Sequence, residues 1–345
     1  MDGSQYTRDP DLWFDDGNIM LQVAPRLFRV HRSILAMNSD VLKDMMAAHL
    51  STKVDLLDSL PLIVLQGDDA GDAIHFLKAL YIPQYFAPPP ISTKLDVLEG
   101  ILRFAHKYRA PVLRRSALLH LAIAYPTEVS DLKEYAHQPH TYTVHPEDAL
   151  QEYMVVATLA RDAHAPWVLP SLFYRISMRF CSKARFLETL PWLGRQRWLA
   201  HDDVAACIAG YAELRKEFPH AVFFDDALGC QDAACTLTCA KLCTQEDMEG
   251  FVVEPLTYFT LWLQDDRSFR REAICSRCIK AMRAEYGRWL ASVWDRLPAM
   301  FNLPGWAELR EIKNRDLGVR VLPFWRGSSM TVVDAGRDQR AGQFW

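Results

Sequence analysis

The first 125 residues alternate between two hydrophobic periods, and this alternation limits the folds that the chain can adopt. Residues 11–31 carry short apolar runs around the turn signal Asp15–Asn18, which predicts a β-hairpin. From Ile34 onward, apolar residues recur every three or four positions, which predicts helices, and Ser39 is suited to cap the second of them. The apolar run of residues 60–65 predicts a further strand before more helices. This order of elements predicts a compact α+β domain.

The residues beyond Pro126 predict a second, mostly α-helical domain. The chain has 345 residues, which suits two domains of roughly 100–200 residues each. The predicted divisions are an N-terminal tail (1–10), an α+β domain (11–126), a linker (127–147), a helical domain (148–310) and a loosely ordered tail (311–345). Helical spacing also predicts a core stripe formed by Trp289, Leu290, Val293, Trp294, Leu297 and Phe301.

Composition and charge exclude several classes of function. The net charge is −4 and no run of five like charges occurs, so nothing indicates a nucleic-acid-binding surface. The opening MDGSQYTRDPD is polar and unlike a secretory signal, and no uncharged apolar run is long enough to cross a membrane. We therefore expect a cytoplasmic or nuclear protein without nucleic-acid or membrane partners. In those compartments the eight cysteines are expected as thiols or metal ligands rather than as disulfides.

Several segments of the first 126 residues resemble BTB/POZ domains in content and in order. The central match is residues 27–36, Leu-Phe-Arg-Val-His-Arg-Ser-Ile-Leu-Ala, followed by Ser39, Leu42 and Met45. The family's later helices are similar to the segments Asp72-x4-Leu77-x2-Leu80-Tyr81, His106-Lys107-Tyr108 and Val112-Leu113-Arg114-Arg115. The opening Asp11–Asn18 resembles a fungal branch of the family. The resemblance covers about a third of the chain and implies a protein-interaction module that commonly forms homodimers.

The resemblance also implies a homodimer interface with a charged pocket. Its residues would be Trp13, Phe14, Asp16, Asn18, Ile19, Leu21, His31 and Arg32. The apolar members offer more surface than an isolated two-stranded hairpin would leave in water. His31 would cap or anchor the first helix, and Arg32 would pair with an acidic residue in the pocket. Asn18 occupies the usual acidic position, which leaves Asp15 or Asp16 as the partner of Arg32.

The sequence predicts a non-enzymatic interaction protein, with two alternatives. It contains no GxSxG elbow, phosphate-binding GxxxxGK loop, GxGxxG turn or HExxH zinc motif. We expect the BTB-like part to self-associate and the helical part to recruit another protein. Many BTB proteins instead serve as substrate adaptors of cullin-type ubiquitin ligases, often with a hydrophobic-x-Glu motif, but no glutamate lies between Met46 and Leu65. A transcriptional regulator is a weaker alternative because no DNA-binding module is recognisable.

Six of the eight cysteines lie within residues 230–278, and this clustering is the feature of the sequence that most specifically indicates a metal site. The pair Cys275-x-x-Cys278 is a common half of a zinc site, because two thiolates at this spacing can bind one tetrahedral ion. Cys239 and Cys243 lie one helical turn apart and can supply the other half. These four cysteines are therefore the predicted ligands, with zinc as the only cofactor that the sequence raises.

Two other interpretations of the same cysteines remain open. Cys235, Cys239 and Cys243 have the spacing of a buried helical stripe, and free cysteine is among the most buried residue types. The pair Cys235 and Cys239 also has the spacing required of zinc ligands. Cys275 and Cys278 can alternatively act as a redox pair.

Overall fold

The computed structural model describes residues 6–50, 55–132, 142–143, 149–180, 189–216, 230–236, 256 and 274–319. The strands are β1 (Thr7–Trp13), β2 (Ile19–Val23), β3 (Arg26–Val30), β4 (Leu56–Leu57), β5 (Leu60–Val64), β6 (Thr93–Lys94), β7 (Tyr142–Thr143), β8 (Leu190–Trp192) and β9 (Arg195–Arg197). The helices are α1 (Arg32–Asn38), α2 (Asp40–Leu50), α3 (Ala70–Tyr81), α4 (Leu95–Lys107), α5 (Pro111–Ala124), α6 (Ala149–Asp162), α7 (Leu169–Phe180), α8 (His201–Lys216), α9 (Ser276–Met300) and α10 (Trp306–Asp316). A short 3₁₀ helix, Pro166–Val168, precedes α7.

The N-terminal part contains a five-stranded mixed sheet with the strand order β1-β3-β2-β5-β4. Its hairpin joins β2 and β3 through Ala24 and Pro25, and the hairpin predicted at Asp15–Asn18 is therefore wrong. One edge of β2 pairs with β3 and the other with β5, so β1 is left with the free edge of β3, to which it runs parallel. The N–H of Phe14 donates to the carbonyl of Arg29 at 3.0 Å and continues this pairing.

Two short helices follow the first three strands, as the hydrophobic period predicted. Helix α1 ends at Asn38 and α2 begins at Asp40, so Ser39 separates them. The Ser39 hydroxyl accepts the N–H of Leu42 at 3.1 Å and donates to the carbonyl of Tyr108. The predicted cap is confirmed, and its second hydrogen bond ties the helical pair to the end of α4.

Two hydrophobic cores meet at α4. The first core lies between the sheet and α1–α4 and contains Phe28 and Leu35. The second core is larger and joins α4 and α5 to the helices beyond residue 149, with Trp167 among its fully buried side chains. Helix α4 contributes Phe104 to the first core and Leu98 to the second. It is therefore buried around most of its circumference, as expected of a helix between two cores.

The ordered structure extends past several of the predicted divisions. Strand β1 begins at Thr7, within the predicted N-terminal tail. Leu132 and Tyr142, from the predicted linker, are buried in the second core. Helix α10 continues to Asp316 and is followed by the buried Leu317, beyond the predicted end of the helical domain at residue 310. Polar composition marked these flanks as linker and tail, whereas a few apolar anchors hold them in place. Residues 320–345 lie outside the described residues.

Helix α9 carries the predicted aromatic stripe into the second core. The side chains of Leu290, Val293, Trp294, Leu297 and Phe301 are buried, and that of Trp289 is half-buried. The ring of Trp294 stacks on that of Trp306, with centroids 5.1 Å apart. The prediction that this stripe is core is confirmed.

Gly210 in α8 and Gly287 in α9 give opposite expectations for the same substitution. A Cβ at residue 210 would overlap the buried ring of Phe301, whereas a Cβ at residue 287 would have no atom within 4 Å. We expect Gly210→Ala to lower the free energy of unfolding by about 1–3 kcal/mol through overpacking. We expect Gly287→Ala to raise it by about 0.5–1 kcal/mol through better helix propensity. Urea denaturation followed by circular dichroism measures both, and shifts of the same sign would contradict the packing of α8 on Phe301.

A buried ion network fixes the β8–β9 hairpin to helices α3 and α4. The Glu99 side chain is 1 % exposed and accepts hydrogen bonds from Arg103 at 2.7 Å, from Arg197, and from the indole N–H of Trp192 at 2.6 Å. Arg103 also pairs with Asp72 at 3.0 Å. The hairpin from the C-terminal part is thereby anchored on charged groups of the N-terminal part.

Candidate functional site

Four cysteine side chains meet beside the second core. Cys230 and Cys235 lie in one short segment, where the Asp232 carboxylate accepts the N–H of Cys235 at 3.2 Å and holds the turn. Cys275 is the N-cap of α9, and Cys278 lies in the first turn of that helix. Two parts of the chain, separated by about forty residues, are thus brought together at their sulfur atoms.

The distances among the four sulfur atoms suit a tetrahedral thiolate site. All four Sγ atoms lie within 4.8 Å of one another, and those of Cys230 and Cys275 are 3.8 Å apart. A zinc–sulfur bond is about 2.3 Å long, so the sulfur–sulfur edge of a regular ZnS₄ tetrahedron is about 3.8 Å. The cluster is therefore close to the size that one zinc-sized cation requires, and four thiolates complete a closed site.

Backbone N–H groups donate to two of the sulfur atoms. The N–H of Cys275 lies 3.3 Å from Sγ of Cys235, and the N–H of Cys278 lies 3.5 Å from Sγ of Cys275. Such donors stabilise thiolates, which are the form of cysteine that binds metals. Cys235 and Cys278 are buried, while Cys230 and Cys275 are half-buried. The cluster therefore has a buried side and a side that solvent reaches.

The surroundings of the cluster shift the pKa values of its thiols in opposite directions. The backbone N–H of Cys278 lowers the pKa of Cys275 to about 7. Burial raises the pKa of Cys278 and the pKa of Cys235. A cation that binds all four sulfur atoms must therefore displace protons from the buried thiols, which makes its affinity depend on pH.

The cluster contains one predicted pair of cysteines and one pair that the sequence analysis did not assign together. The predicted pair is Cys275 and Cys278, and the unassigned pair is Cys230 and Cys235. The other predicted ligands, Cys239 and Cys243, lie outside the described residues. The sequence analysis favoured pairs one helical turn apart. The signal it passed over is the spacing Cys230-x4-Cys235, which lies within the range of known zinc-binding pairs.

Two residues predicted for a dimer interface lie in the protein's own core. Ile19 and Leu21 are 2 % and 1 % exposed, because they belong to a five-stranded sheet covered by helices rather than to an isolated hairpin. They do not supply the apolar surface that the sequence analysis expected. Trp13 and Phe14 are half-buried, and the ring of Phe14 stacks on that of Tyr81 with centroids 4.7 Å apart.

The polar residues of the predicted pocket are paired differently from the expectation. His31 occupies the N-cap position of α1 without a side-chain cap, and its Nε2 lies 3.1 Å from Oδ1 of Asp16. The amide oxygen of Asn18 accepts the backbone N–H of Arg32 at 2.8 Å. Within the described part of the chain, the Arg32 guanidinium forms no ion pair. Asp16, one of the two acids expected as the partner of Arg32, therefore pairs with His31 instead.

The solvent-facing side of α1 forms an open patch, which we call the α1 surface. A pocket of about 430 Å³ there is lined by Asn18, Ile19, Arg32, Ser33, Ala36 and Pro61. Met37 follows Ala36 in α1 and is 81 % exposed, the highest value among the large apolar side chains that the structure describes. The α1 surface thus carries an exposed methionine and, five residues before it, an exposed arginine for which the described residues supply no acidic partner.

Comparison with known proteins leaves the family of the chain open. The chain matches no family model, and searches against curated proteins and solved structures found no significant match. None of the helices within the described ranges is long and apolar enough to span a membrane. Part of the segment that bears on cullin binding, residues 51–54, lies outside the described residues.

Proposed function

We propose that the protein is a non-enzymatic interaction protein whose BTB/POZ-like part self-associates through the α1 surface. Support comes from the signature in residues 27–45 and from the mixed sheet, helical pair and later helices that accompany it. The observation that carries the proposal is that α1 exposes both Met37 and Arg32, and that Arg32 forms no ion pair among the described residues, since methionine and arginine are enriched at the centres of interfaces. In a two-fold pair, each α1 would cover the other. The helical part then remains available to recruit another protein.

Static light scattering of the full chain tests self-association. One chain has a mass of 39.6 kDa, and we expect about twice that mass at micromolar concentration. Met37→Glu should return the mass to that of one chain, because it would place a charge inside the interface. Ile208→Glu is the matched control, since Ile208 is 48 % exposed on α8, which packs on α7 and α9 in the helical part, and this variant should stay dimeric. A monomeric wild-type chain, or a dimeric Met37→Glu variant, would contradict the proposal.

We propose further that Cys230, Cys235, Cys275 and Cys278 bind one structural zinc ion. The observation that carries this proposal is the agreement between the sulfur–sulfur distances and the edge of a ZnS₄ tetrahedron. The ion would fix the short segment before residue 237 to the start of α9. The residues between the two pairs would then form a closed loop, and the metal–sulfur bonds would offset part of the entropy cost of bringing its ends together.

Metal analysis of protein purified without added zinc tests the site. We expect one equivalent of zinc per chain, and Cys230→Ser and Cys235→Ser should each lose most of it because three ligands replace four. The double variant Cys239→Ser/Cys243→Ser is the matched control and should keep the full equivalent. Less than about a tenth of an equivalent in the wild-type chain would refute the zinc proposal. Loss of zinc in the control variant would show that Cys239 and Cys243, the pair that the sequence analysis predicted, take part in binding the ion.

A further inference from the structure

We infer that Cys230 and Cys275 are the oxidation-sensitive pair of the cluster, and that hydrogen peroxide joins them as a disulfide and thereby expels the metal. This inference rests on the proposed zinc site and adds a covalent modification to it. The cluster would then report the redox state of its surroundings as well as stabilise the fold.

Exposure separates the four sulfur atoms into two kinds. Cys235 is fully buried and Cys278 is 2 % exposed, whereas Cys230 and Cys275 are half-buried. An oxidant that arrives from solvent therefore meets Cys230 and Cys275 first. Access is one of the main determinants of which cysteines are oxidised.

Distance makes these two cysteines a pair. Their sulfur atoms lie 3.8 Å apart, so an approach of about 1.7 Å gives the length of a disulfide bond. Cys230 lies outside regular secondary structure, which allows its side chain to make this approach without disturbing a helix. Cys275 is the N-cap of α9, where its sulfur accepts the N–H of Cys278 and its backbone carbonyl accepts the N–H of Ile279 at 3.1 Å, a bond that does not involve the side chain. A bond between them leaves the backbone of α9 in place.

The oxidation is balanced by the peroxide itself. The Cys275 thiolate attacks one peroxide oxygen, an S–O bond forms, the O–O bond breaks, and the departing hydroxide takes up a proton as water. The Cys230 thiolate then attacks the sulfur of the resulting sulfenic acid, an S–S bond forms, the S–O bond breaks, and the departing hydroxide takes up a proton from solvent as the second water. The two sulfur atoms together lose two electrons, which reduce one peroxide to two waters. Zinc keeps only Cys235 and Cys278 as ligands, and a two-thiolate site holds it far more weakly.

Titration of the zinc-loaded full chain with hydrogen peroxide tests the inference. A chromophoric chelator measures released zinc, and non-reducing peptide mapping identifies the first cross-link. We expect zinc release to rise in step with a Cys230–Cys275 cross-link and to be reversed by a dithiol reductant with added zinc. The variant Cys207→Ser, which removes a buried cysteine outside the cluster, should release zinc at the wild-type rate. Zinc retained at about tenfold excess peroxide, or a first cross-link between other cysteines, would overturn the inference.

The same experiment separates this inference from the zinc proposal. If the purified chain carries no zinc, the zinc proposal fails by itself, and peroxide treatment of the metal-free chain still decides the pairing. A Cys230–Cys275 cross-link there supports the oxidation-sensitive pair, and any other first cross-link refutes it. In Cys230→Ser, Cys275 lacks its partner, so a sulfenic-acid trap such as dimedone should label Cys275 more strongly than in the wild-type chain.

Discussion

Replacing Glu99 with glutamine is expected to lower the free energy of unfolding by about 3–5 kcal/mol, the usual cost of removing one partner from a buried ion pair. The Glu99 carboxylate accepts hydrogen bonds from Arg103, Arg197 and Trp192 and is almost completely buried. Glutamine keeps one acceptor oxygen but turns the other position into a donor. Arg103 keeps its pair with Asp72, whereas Arg197 forms no other ion pair among the described residues, so one buried donor loses its acceptor.

Urea denaturation measures the effect, and a surface ion pair provides the control. Arg8 and Asp58 form a pair whose side chains are 63 % and 58 % exposed, so Asp58→Asn should cost less than about 1 kcal/mol. If Glu99→Gln costs no more than Asp58→Asn, solvent must reach the network and replace the missing charge.

Replacing Trp167 with alanine is expected to cost about 3–5 kcal/mol, because it empties a fully buried aromatic position in the second core. The indole N–H of Trp167 also donates to Asp316 at 3.0 Å, and the ammonium of Lys313 lies 5.5 Å from the ring centroid. Both partners belong to α10, so the substitution should loosen that helix in particular. Asp316 would keep only its 3.0 Å pair with Arg114.

Circular dichroism in urea is the suitable measurement, since the substitution removes a fluorophore. Trp198→Ala is the matched control: Trp198 is 58 % exposed, and its loss should change the free energy of unfolding by no more than about 0.5 kcal/mol. Similar costs for the two variants would contradict the placement of Trp167 at the centre of the second core.

Features set by local chain physics could be predicted from the sequence. Ser39 caps α2 because a serine at the end of a helical period offers its hydroxyl to the next turn, whatever the rest of the chain does. The stripe around Trp294 is core because its apolar residues recur every three or four positions and therefore lie on one face of the helix. Cys275 and Cys278 share a site because two intervening residues bring their sulfur atoms together in any compact turn.

Features set by distant parts of the chain could not be predicted. The exposure of Ile19 depends on β5, which lies forty residues later and completes the sheet beside it. Glu99 finds Arg197 across ninety-eight positions, and no local pattern links the two. Cys230 lies beside Cys275 although forty-five positions separate them, and the spacing of the cysteines in the sequence does not show which of them approaches Cys275. In each case the sequence shows the type of side chain but not the distant residue that it contacts in the folded chain.

Helix α4 lies between two cores, so the part of the chain that folds as one cooperative unit is longer than the part that resembles BTB/POZ domains. A chain ending at residue 126 would expose to water the α4 and α5 side chains that the second core covers, among them Leu98, Ile101, Leu118 and Leu121. Exposure of so much apolar surface favours aggregation over folding. The motifs therefore mark a shorter stretch than the smallest part of this chain that can fold independently.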